Sequence, residues 1–179
     1  GRTNLKIPVL SLGGMRFQKS WDQLDFSEIS NEEQNKVENI LHLANKYGLN
    51  HVETAKYYGT SEVQLGMGFE KTKKIPDIIQ TKIPPNSDPE IFERDVMTSI
   101  EKLKVKRIDL LAIHGINTDE HLHHAVKDGG CIDILRNLQK ENLIGSIGFS
   151  THGKSSLIEK AISTNFFDYV NLHWYFINQ

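Results

Sequence analysis

The chain has 179 residues, 38% of them apolar and 25% charged, with 13 glycines, 5 prolines and a formal net charge of −2. That is the composition of one ordinary folded domain, and it excludes disordered, collagen-like and low-complexity classes; the balance of 21 Lys+Arg against 23 Asp+Glu argues against a nucleic-acid or membrane-surface partner. No apolar run approaches the ~18 residues of a membrane span, and the single cysteine, Cys131, leaves neither an internal disulfide nor a cysteine-cage metal site, so a reducing, cytoplasmic location is expected.

Short β-branched runs alternate with longer amphipathic stretches. The first run is 7–12 (IPVLSL). A helix follows, opened by the capping box Ser30-Asn31-Glu32-Glu33, with Val37, Ile40, Leu41 and Ala44 on one face and Gly48 as its stop. The second and third runs are 51–55 and 77–82. Asp88-Pro89 then caps a helix with Phe92, Val96, Ile100 and Leu103 as its buried stripe. The fourth run is 108–114, and the polar, histidine-rich stretch 115–130 after it reads as a solvated loop that shapes access, rather than as a metal site built on His121, His123 and His124. Cys131, Ile134, Leu135 and Leu138 form the next stripe, with Cys131 as a small core residue. Run 144–150, the stripe of Leu157, Ile158, Ala161 and Ile162, and run 168–173 close the series.

The runs start about 32 residues apart on average, the length of one βα unit. Nearly continuous apolar strands at that spacing predict a parallel sheet covered on both faces. Two more units would bring the chain near the ~250 residues of an eight-fold βα barrel. The expected fold is therefore α/β, a (β/α)8 TIM barrel truncated to about six βα units. All of 1–179 forms the N-terminal part of a single barrel domain, with open edges at its first and last strands. A doubly wound sheet is the rival, although Leu12-Gly13-Gly14-Met15 is not a GxGxxG turn.

Barrels gather reactive groups at the C-terminal ends of their strands. Those positions hold Glu53 and Tyr58, Lys82, His114, Ser150 and Thr151, and Asn171. Singly, each has a plain structural reading: a solvated lysine, an ion pair, a loop aromatic (Tyr57 is an equal neighbour), a core histidine. Together an acid, a phenol, an amine and an imidazole are chemically complementary. Trp21, Phe26 and Tyr57 are candidates for apolar walls. A metal-dependent hydrolase would instead use His114, His152, His173 and Glu53 as ligands.

The stretch Glu53-Thr54-Ala55-Lys56-Tyr57-Tyr58-Gly59-Thr60-Ser61-Glu62 resembles the active-site signature of the aldo-keto reductases, Asp-Thr-Ala-x-x-Tyr-Gly-x-Ser-Glu. Gln80-Thr81-Lys82, the strand ending in His114, and Ile147-Gly148-Phe149-Ser150 resemble further strands of that family, in its order. Gly1-Arg2-Thr3 and Gly13-Gly14-Met15-Arg16-Phe17 resemble bacterial members. Glu53 and the stretch Leu172-His173-Trp174-Tyr175-Phe176-Ile177-Asn178 are similar to the branch that continues into a ferredoxin-like iron–sulphur tail.

The resemblance implies NAD(P)H-dependent reduction of aldehydes or ketones, reversible to alcohol oxidation. Tyr58 would donate the proton. Lys82, held cationic by Glu53, would lower the pKa of Tyr58, and neutral His114 would orient the carbonyl. Gly14, Met15, Ser150, Thr151 and Asn171 would hold the cofactor, expected to be NADP(H) or else NAD(H). At Gly14 the missing Cβ would let a flat ring approach. The implied partners are a small-molecule carbonyl substrate and, for a parent with an iron–sulphur tail, an electron-transfer partner. Two departures stand out: Glu53 replaces the family's Asp, and the seventh and eighth units are absent. The piece alone is thus expected to bind cofactor weakly and to be inactive. A non-catalytic nicotinamide-binding regulatory module is the other implied reading.

Overall fold

The computed structural model describes residues 2–17, 21–22 and 26–173, the side chain of Phe26 excepted. Six strands, β1 (Leu12–Gly13), β2 (His51–Glu53), β3 (Ile78–Ile83), β4 (Ile108–Ile113), β5 (Ile144–Thr151) and β6 (Tyr169–Leu172), pair in chain order into one sheet. Every neighbouring pair is parallel. A doubly wound sheet reverses its strand order part-way; this one never does. Side chains of β3 and β6, three places apart, also meet directly, Gln80 Nε2 donating to Asn171 Oδ1 at 2.7 Å. On a flat sheet they would stand ~14 Å apart at the usual strand spacing. The sheet is therefore curled, six staves of a (β/α)8 barrel.

Crossovers are filled by α1 (Asn31–Lys46), α2 (Ser61–Thr72), α3 (Pro89–Leu103), α4 (Asp119–Val126), α5 (Cys131–Lys140) and α6 (Ser155–Ser163). Strand side chains alternate between two faces. Outward ones such as Val52, Ile79, Leu111, Ile113, Ile147 and Phe149 join the helices' inward faces in one apolar core. The inward ones are unusually polar, and it is they that build the site. Helix α1 starts where the sequence predicts: Ser30 Oγ accepts from the Glu33 amide at 3.2 Å and Glu33 Oε2 accepts from the Ser30 amide at 3.0 Å. At α3, the Asp88 carboxylate accepts from the amides of Glu90 and Ile91, with Pro89 at the first position. Cys131 is fully buried, as expected of a core residue.

Several elements differ from the sequence reading. The run 7–12 pairs only from Leu12, and Val9 and Leu10 stand in solvent: β-branched residues do not make a strand without a neighbour to bond to. Helix α2 is absent from the sequence reading because SEVQLGMGFEKT carries two glycines and no clean apolar stripe. It is buried on several sides, and a Cβ at Gly66 would strike the α3 backbone at Leu103. The stretch 115–130 is not all loop. Thr118 Oγ1 caps α4 by accepting from the His121 amide at 3.1 Å, and Leu122 and Ala125 pack inward between the polar residues. Ile40 and Ile162 are exposed, so the stripes of α1 and α6 are narrower than expected.

Candidate active site

The curl brings the C-terminal strand ends around a cavity of about 370 Å³. Met15, Glu53, Tyr58, Lys82, His114, Ser150, Thr151 and Asn171 line it, together with His152, Leu172 and His173. Every site residue expected from sequence is there except Gly14. A slightly larger hollow, about 400 Å³ between α3 and α5, holds exposed carboxylates and Arg94 but no comparable set of reactive groups.

Lys82 is the hub. It stands on β3 with 4% of its surface exposed. Its Nζ donates to the Glu53 carboxylate at the end of β2, to the Thr54 carbonyl at 2.9 Å and to the Tyr58 hydroxyl at 3.2 Å. The extra methylene of Glu53 therefore leaves the carboxylate–lysine contact intact. Tyr58 reaches Lys82 because the β2–α2 loop is laid back along β3: the Thr54 amide donates to Gln80 O at 2.9 Å and the Lys56 amide to Lys82 O at 3.0 Å. Gly59, at φ +52°, completes the turn. The His114 ring meets Tyr58 edge-on, with centroids 5.9 Å apart.

Burial sets the electrostatics. It pulls Lys82 down to about 7, while the adjoining Glu53 carboxylate favours the ammonium. It raises the Tyr58 phenol above its ordinary value. This corrects the expectation that the lysine depresses the phenol: in the folded protein desolvation dominates, and Tyr58 stays protonated at neutral pH. His114 falls to about 4, through burial first and then the charges of Lys82 and His152, so its ring is neutral. Its Nδ1 is buried with no hydrogen-bond partner among the described residues.

Ser150 Oγ accepts from the Gly115 amide at 3.0 Å, which leaves its O–H to donate. Asn171 Oδ1 is taken by Gln80, which leaves Nδ2 as a donor. Two donors at one rim fit the carboxamide oxygen of a nicotinamide. The Thr151 hydroxyl is engaged within the fold, donating to Ile116 O at 2.6 Å and accepting from the Gly153 amide at 2.8 Å. Gly14 has a different reason from the one expected: a Cβ there would come 2.5 Å from Ser61 Oγ and strike Thr54, so it is the packing of 14 on the start of α2 that requires glycine. Trp21 and Tyr57 flank the mouth, 6.4 Å from Tyr58 and 6.1 Å from His114 between ring centroids. Phe26's side chain and Trp174-Tyr175-Phe176-Ile177-Asn178 lie outside the described residues.

Among the described residues no three His, Cys, Asp or Glu side chains are placed to hold a metal ion, and no helix is long and apolar enough to cross a membrane. His51 and Gln80, to which the sequence reading gave no role of their own, sit on the inward face beneath Glu53 and Asn171. Polar residues inside otherwise apolar strands were the available signal.

The model of the aldo/keto reductase family matches residues 9–176. The chain belongs to the aldo/keto reductase family. A Pseudomonas aeruginosa structure described as an aldo-keto reductase aligns at 25% identity and a TM-score of 0.71, over 95% of this chain and 64% of that one. The holo form of aldo-keto reductase AKR11C1 from Bacillus halodurans aligns at 18% identity and a TM-score of 0.73, over 96% and 55%. The aldo/keto reductase from Klebsiella pneumoniae in complex with NADP and acetate aligns at 16% identity and a TM-score of 0.62, over 86% and 48%. The chain thus spans about half to two thirds of these solved structures. A search of the curated proteins returned no match.

Proposed function

We propose that this aldo/keto reductase chain carries the proton-donating half of a nicotinamide-dependent carbonyl reductase, acting on aldehydes or ketones and reversible to alcohol oxidation. The observation that carries the reading is the buried Lys82 Nζ in contact with both the Glu53 carboxylate and the Tyr58 hydroxyl. NADP(H), or else NAD(H), supplies the hydride when bound. Negative charge then develops on the substrate oxygen, and Tyr58, a phenol that burial holds still further above neutral pH, has the proton to give. Lys82 in its ammonium form stabilises the phenolate as it forms, and Glu53 favours that form. Neutral His114 holds the carbonyl oxygen. Ser150 and Asn171 offer donors to the nicotinamide carboxamide, and Met15 and Thr151 wall the same space.

The NADP seen in the Klebsiella structure supports the cofactor class. Small-molecule carbonyl compounds are the partners this site fits, and the cytoplasm is the compartment proposed for it. Likeness to members with an iron–sulphur tail, and with it an electron-transfer partner, rests on Glu53, Leu172 and His173 and on residues beyond 173.

The test is steady-state reduction of an aldehyde panel by the full-length protein with NADPH. Tyr58→Phe is expected to lower kcat by about 10²–10⁴ while leaving cofactor affinity in place. Turnover unchanged by that substitution overturns the assignment.

A further inference from the structure

Below the cavity, three side chains without a part in the chemistry are strung together across the inside of the sheet. Ser11 Oγ lies 2.8 Å from His51 Nδ1, His51 Nε2 lies 3.1 Å from Gln80 Oε1, and Gln80 Nε2 lies 2.7 Å from Asn171 Oδ1. The string runs from beside β1 to β6. Gln80 and His51 are 2% and 6% exposed, so the bond between them is not replaced by water without cost; Ser11, at the outer end of the string, is exposed.

Such a string has a direction. A neutral imidazole has one N–H and one acceptor nitrogen, and an amide has one end of each kind. Burial holds His51 below its ordinary pKa, in the neutral form. With Gln80 Oε1 facing His51, Nε2 must carry the proton and Nδ1 must accept from the Ser11 hydroxyl. Gln80 then has only N–H groups to offer Asn171, whose oxygen turns inward and whose Nδ2 turns to the cavity. The opposite tautomer of His51 would reverse every member and present Asn171 Oδ1 instead.

We propose that Ser11, His51 and Gln80 form a hydrogen-bond relay that fixes the amide orientation of Asn171, so that this point of the cavity donates and selects a carbonyl acceptor. Gln80 and His51 are then positioning residues acting through Asn171. For the ligand, a nicotinamide carboxamide, the inference rests on the function proposed above; for the relay it does not.

The experiment has two arms, both on the full-length protein. In the ligand-free protein, ¹⁵N resonances of His51 are expected to show a protonated Nε2 and a bare Nδ1; a protonated Nδ1 overturns the relay as described. Dissociation constants for NADP⁺ and for an adenosine bisphosphate lacking the nicotinamide are then compared. Gln80→Leu is expected to weaken NADP⁺ about fivefold to tenfold, the worth of one oriented hydrogen bond, and to leave the fragment unchanged. Gln80→Glu is expected to do so more strongly, because a carboxylate only accepts and would turn Asn171 Nδ2 inward. Equal weakening of both ligands, or of neither, overturns the positioning role. If the unaltered protein binds no dinucleotide, the proposed function fails, and the His51 tautomer still decides the relay.

Discussion

The centre and the first edge of the sheet are written in similar letters and behave differently. β4 (IDLLAI) and the run IPVLSL are both short, β-branched and apolar, yet Leu111 is fully buried and Val9 is fully exposed. The centre has a bonded strand on each side and helices on its outer face. Among the described residues the edge has one neighbour, paired at Leu12 and Gly13 alone. An apolar run is a strand only where a partner accepts its backbone bonds and a layer covers its side chains.

The difference also has a chemical side, since the centre is where burial shifts Lys82. Its pKa is lowered, so its ammonium is lost as pH rises through about 7. The carbonyl reduction proposed above should therefore fall by up to about tenfold per unit above that pH, measured as kcat/KM on the full-length protein; a flat profile from about pH 6 to 9 would separate burial from chemistry. On stability, Leu111→Ala is expected to cost about 2–5 kcal/mol in urea unfolding, as for other buried leucines. Gly148→Ala should cost about 1–3 kcal/mol by overpacking, because its Cβ would enter the Tyr169 ring on β6. Asp88→Ala removes the α3 cap and is expected to cost about 1 kcal/mol. Val9→Ser, at the edge, should stay within about 0.5 kcal/mol; a loss like that of Leu111 would show the edge to be covered in the full-length protein.

Much of the candidate site's placement was legible because strand-end chemistry and the Tyr58-Gly59-x-Ser61-Glu62 segment are local in sequence. What was not legible was local in space only. Glu62 enters the sequence reading only as the last residue of that segment, with no role of its own. In the fold it is 2% exposed and accepts from the hydroxyls of Thr81 at 2.6 Å and Ser99 at 3.0 Å, tying α2 to β3 and α3. Gln80 looks like an incidental polar residue next to Thr81 and Lys82, and only the curl carries it to Asn171. Helix α4 hid among histidines because only Leu122 and Ala125 of it are buried, with Val126 partly so.

The order of residues alone determined the βα rhythm, the helix caps at Ser30 and Asp88, and that an amine and an imidazole stand at the ends of neighbouring strands. These follow from periodicity and from side-chain-to-backbone bonds within a few residues. The tertiary structure decided where the first strand begins, why position 14 is glycine, and how far burial moves Lys82 and Tyr58. Each of these depends on how much water and how many neighbours surround a group, and neighbours from distant strands meet only once the sheet has curled.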